Sequence, residues 1–75
     1  MKPTKVEVFQ SRFYNRIREL LGGPKAASDF FRKHPKLLLA EAKAARESHA
    51  EGTYGFTPKG AANEWYKRTL EPILC

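Results

Sequence analysis

The sequence predicts a small all-α protein: a compact bundle of three to four short helices with an N-terminal extended arm. Three observations predict it. Apolar residues recur at helical spacing from Phe13 onward, glycine and proline interrupt that pattern, and one short stretch, KVEVFQ at residues 5–10, alternates with the period of a strand. The 75 residues suffice for one domain, which buries about 60% of the surface its unfolded chain exposes. That is a thin core, with no room for a deep cleft between domains.

As a strand, KVEVFQ points Val6 and Val8 to one face and Lys5, Glu7 and Phe9 to the other. A strand must find partners for its backbone N–H and C=O groups. No second alternating run follows, since TYGF at 53–56 is short and split by glycine. Residues 1–10 therefore read as an arm and residues 11–75 as the helical domain. The arm can stay loose, pair with its copy in a dimer, or become a strand on binding, by adding to a sheet edge of another protein. The third reading is preferred: the backbone ladder supplies affinity, and Val6 and Val8 supply selectivity.

Ser11 is an N-cap candidate for the first helix, RFYNRIRELL, whose Phe13, Ile17, Leu20 and Leu21 form one stripe. Gly22-Gly23 ends it and Pro24 opens the second helix, which carries Ala27, Phe30 and Phe31 at core spacing. Pro35 disfavours helix at the residue before it and opens the third, residues 35–49. Leu38, Ala42 and Ala45 are its expected inner stripe, extended by Leu37, Leu39 or both. Tyr54 and Phe56, in the loop that follows, are expected to fold back over the core. Thr57 and Pro58 begin the last helix, with Ala61, Trp65 and Thr69 on one side and Tyr66, Leu70 and Ile73 beside it. Glu64 and Arg68 make a favourable i, i+4 pair, and Pro72 is the expected end.

Catalysis finds little support. The two histidines, His34 and His49, lie at separate helix ends, and Ser48 and His49 are helical neighbours that do not face each other. One cysteine and two histidines cannot make a four-ligand structural zinc site. Gly22-Gly23-Pro24-Lys25 lacks the spacing of a phosphate loop. No catalytic residue, metal or cofactor is expected. Cys75, the last residue, reads as an incidental exposed thiol. The absence of a long apolar run argues against a membrane span, and the chain reads as cytoplasmic.

Fourteen Lys and Arg against eight Asp and Glu give a formal net charge of +6, which favours an anionic partner. Arg12, Asn15, Arg16 and Arg18 crowd the first helix. Arg32, Lys33, His34 and Lys36 form a basic knot between the second and third. Lys59, Lys67 and Arg68 add charge to the last. A helix-turn-helix DNA binder fits the helix count, but residues 35–49 are rich in Ala and Leu and poor in side chains that read base edges. A small basic DNA- or RNA-binding module stays as the second reading, and a homodimer of paired arms as a third.

The arm and first helix, KVEVFQSRFYNRIREL, on a small basic helical body, resemble the small RNA polymerase-binding transcription regulators of lytic Xanthomonas phages. The resemblance covers most of the chain in length, charge and layout. It implies a non-enzymatic protein that is monomeric when free and acts in the host bacterial cytoplasm. Such a protein binds the N-terminal region of the polymerase β′ subunit, inhibits initiation and promotes antitermination. Contacts to the β subunit and nascent RNA are further partners. The arm would pair with β′ as a strand, through Val6 and Val8 with Lys5, Glu7 and Phe9 alongside. Arg12, Arg16, Lys33 and Lys36 would lie near the nucleic acid.

Overall fold

Thr4 and Glu7 decide where the first helix starts. The Glu7 backbone N–H donates to the Thr4 hydroxyl at 3.2 Å, the Thr-x-x-Glu arrangement of a helix N-terminus, and α1 then runs Lys5–Leu20. The chain is seen here as a computed structural model that describes residues 2–74; Cys75 lies outside them. Residues 5–10 are thus helical in the free chain, where a loose extended arm that becomes a strand on binding was expected. They form the first turns of α1, which passes unbroken across residues 10 and 11. Phe9 explains why. At i−4 from Phe13 and i−8 from Ile17 it extends the buried stripe of the helix by one turn, and the alternation of KVEVFQ has no sheet to join.

A Schellman turn closes α1: Gly23 N–H donates to Arg18 C=O at 2.8 Å and Gly22 N–H to Glu19 C=O at 3.1 Å. Both glycines take positive φ, 106° and 119°, which a side chain would resist. Helix α2, Pro24–Lys33, meets α3, Pro35–Glu51, at an elbow on His34. Gly52, left-handed at φ 66°, ends α3. Thr57 caps α4, Pro58–Trp65, its hydroxyl accepting from Gly60 N–H at 3.1 Å. A π-helical turn, Tyr66–Leu70, leads into α5, Glu71–Leu74. Pro72 therefore does not end the helix. A proline clashes with the carbonyl four residues earlier, and the widened turn over residues 66–70 accommodates it: Glu71 N–H donates to Tyr66 C=O.

The core lies where α1, α3 and α4 meet. Phe13, Ile17, Ala45, Ala61, Ala62 and Leu70 are fully buried, with Trp65 2% exposed. Four alanines, at 44, 45, 61 and 62, let the helix axes approach. The buried side of α3 consists of Glu41, Ala44, Ala45 and Ser48, with Leu37 partly packed against the core. Leu38 and Leu39 face solvent, at 52% and 75% exposure. Of the expected Leu38–Ala42–Ala45 stripe, Ala45 is buried as expected, while at the other two positions the buried row runs one residue earlier, through Leu37 and Glu41. That row includes a glutamate and a serine, which hydropathy alone does not select. Tyr54 folds onto the core as expected, whereas Phe56 does not and is 79% exposed. Among the described residues no helix is long and apolar enough to cross a membrane.

Candidate functional site

Two adjoining hollows follow α1. The first, about 350 Å³, is lined by Pro3, Lys5, Val8, Phe9 and Arg12 from the chain start and α1, and closed by His49 and Pro58. The second, about 410 Å³, lies between α1 and the start of α4. Arg12, Asn15, Arg16 and Glu19 form one wall; Thr57, Pro58 and Lys59 form the other. Arg12 and Pro58 belong to both. Periodicity explains the α1 wall: 12, 15, 16 and 19 are spaced i, i+3, i+4 and i+7, opposite in character to the buried 9–13–17 row. The α4 wall depends on the Thr57 cap and on Pro58, which set the helix start against α1.

The expected partner-binding residues separate. Lys5 and Val8 line the first hollow, while Val6, 39% exposed, lies two positions from Val8 and so about 200° around the helix. The side-by-side valines of a strand are thereby split. Glu7 is exposed and holds the N-terminal cap. Phe9 is only 7% exposed, its ring 5.3 Å from the His49 ring in an edge-to-face contact. It packs into the core, with only a small part of it left at the wall of the first hollow.

The expected nucleic-acid residues separate as well. Arg12 and Arg16 share the second hollow, but Arg16 is committed to structure. Its Nε donates to Asn63 Oδ1 on α4 at 2.9 Å, and its Nη1 bonds Glu19 at 3.1 Å. Arg12 and Lys59 make no ion pair among the described residues and supply the free charge of the groove. Lys33 and Lys36 are exposed at the α2–α3 elbow and line neither hollow. Between them His34 stacks at a tilt on Phe30, with ring centroids 4.8 Å apart.

Ser48 and His49 form no dyad: Ser48 Oγ is buried with no hydrogen-bond partner among the described residues, and His49 turns to Phe9. Among the described residues, no three His, Cys, Asp or Glu side chains gather as metal ligands. One carboxyl is strongly perturbed. Burial pushes Glu41 up to about 7, against a smaller opposing pull from Arg18. Glu41 in turn helps burial raise the nearby Tyr14 phenol. Both belong to the α1–α3 packing and lie outside the two hollows.

Sequence reasoning missed the Thr4 cap, which Thr-x-x-Glu signals, and the pairing of Lys59 with Arg12, which no spacing signals. Comparison with known protein families, curated proteins and solved structures finds no match for this chain.

Proposed function

We propose that this protein is a non-enzymatic regulator that binds bacterial RNA polymerase in the host cytoplasm and holds a cationic groove against nucleic acid. The observation that carries this reading is the adjacency of the two hollows, which share Arg12 and Pro58. A partner held at residues 4–8 ends about one helical turn before Arg12, which shares the second hollow with Lys59. The identity of that partner, the N-terminal region of β′, comes from the resemblance of residues 5–20 to phage regulators, as do inhibited initiation and antitermination.

The free structure changes how the arm would work. Strand pairing requires the first turn of α1 to melt. Residues 5–7 are exposed and Val8 is half-buried, so melting as far as Val8 sacrifices little core, whereas Phe9 holds the rest of α1 in place. The ordered strand is then residues 4–8, with Phe9 as its fixed end. Ordering costs about 1–2 kcal/mol per residue, offset by the new backbone ladder.

The test is a nuclease-treated pull-down from bacterial lysate. Wild type should retain the β and β′ subunits. Val6→Asp with Val8→Asp should lose them while circular dichroism shows an unchanged helical body. Arg12→Ala with Lys59→Ala should keep polymerase and lose antitermination. Recovery of nucleic acid from a parallel untreated lysate, with no polymerase retained in either, would replace this reading with the second one: a small basic nucleic-acid-binding protein using the same groove.

A further inference from the structure

Phe56 is the most exposed of the large apolar side chains, at 79%, in a protein whose other phenylalanines are all at least partly buried. It is not loosely placed. Gly52 ends α3 at φ 66°, and a Cβ there would lie 2.5 Å from Cε1 and Cζ of Phe56. The far end of the ring therefore rests on bare glycine backbone while the rest faces water. Thr57, Pro58 and Lys59, the next three residues, are the α4 wall of the cationic groove. Three residues span at most about 11 Å between the Cα atoms of Phe56 and Lys59. Within the groove Arg12 and Lys59 make no ion pair among the described residues, while Arg16 and Glu19 neutralise each other.

An exposed, seated aromatic beside unpaired cations is the combination that holds single-stranded nucleic acid: the ring stacks on a base and the cations meet the phosphates on either side. A duplex keeps its bases stacked inside and offers the ring nothing. We infer that Phe56 is a stacking platform for an unpaired base of a single strand, whose phosphates lie on Arg12 and Lys59. This rests on the proposed nucleic-acid role of the groove and adds to it the strandedness of the ligand and the residue that reads it.

The test is fluorescence anisotropy with labelled single strands of about 12 nucleotides, one RNA and one DNA, and a blunt-ended duplex of two annealed strands. Phe56→Leu, at an exposed position, should weaken single-strand binding about tenfold and leave the duplex and the salt dependence unchanged. Phe56→Trp should restore affinity. Lys59→Ala should instead weaken all probes and lower the salt slope by about one. A Phe56→Leu loss confined to RNA or to DNA identifies the source of the strand, and either supports the inference. Unchanged single-strand affinity in Phe56→Leu, or equal loss on the duplex, overturns it and leaves the groove reading intact. Failure of wild type to bind any probe overturns both, while the polymerase pull-down still reads separately.

Discussion

Helix α1 has two seams, and they are built differently. Against α4 it sets Phe13 on Trp65, ring centroids 5.9 Å apart, with alanines beneath and the polar contact, Arg16 to Asn63, kept at the part-buried rim. Against α3 it faces a row that contains Glu41, 4% exposed, and Ser48, fully buried. The first seam keeps its charges where water still reaches them. The second takes a carboxyl and an unpartnered hydroxyl into the core, which costs free energy. The tighter packing and the pH response therefore reside in different contacts of one helix, and the second hollow lies along the α4 contact.

The largest effect should come from breaking the α4 seam. Trp65→Ala removes the largest fully buried side chain and should cost about 3–5 kcal/mol. That is a large part of the total expected for a domain of this size, so denaturant unfolding should show a loss of cooperativity or no folded baseline. A cost below about 1 kcal/mol would mean that Trp65 is not the keystone of that seam.

The α3 seam should be exposed by pH. Glu41 has its pKa raised from an ordinary 4.5 to about 7, so the folded state holds this proton more tightly than the unfolded state. The linked stability is fully present below about pH 4.5 and is lost as pH rises through about 7, by up to about 3 kcal/mol. Glu41→Gln should flatten the dependence between about pH 4.5 and 7 and make the protein more stable than wild type at the alkaline end. Urea midpoints at the two pH values decide it; an unaltered slope in the variant would assign the dependence to another group.

The smallest effect sharpens the contrast between charges that packing uses and charges that it does not. Arg16→Leu should destabilise by about 1 kcal/mol through loss of the Asn63 bond, and Asn63→Ala should not add to it in a double-mutant cycle. Lys33→Ala, at the elbow, should stay within about 0.5 kcal/mol of wild type. Equal effects would show that the Arg16 brace contributes no more than an ordinary surface charge.

Local chemistry accounts for what could be read in advance. The Gly22-Gly23-Pro24 break, the two proline-led helices at Pro35 and Pro58, the Thr57 cap and the helix-forming alanines each act within a few residues. The Thr4 cap and the Phe9–Phe13–Ile17 row were equally local. They were obscured because period two and period 3.6 both fit a six-residue window. The candidate site was less legible. Arg12 could be named from its cluster, but a cluster does not show that Arg16 is spent on Asn63, 47 positions away.

The sequence by itself determined the helical class, the breaks between helices and the positive charge, because caps, glycines and prolines act on their own neighbours and charge is a sum. Only the tertiary structure decided the rest. It buried Glu41 and Ser48 while leaving Leu38, Leu39 and Phe56 in water, drew residues 5–10 into α1, and set Lys59 across from Arg12. Those outcomes depend on which helix faces which, and close alanine-lined approach of α1, α3 and α4 decides that through contacts between residues far apart in the chain.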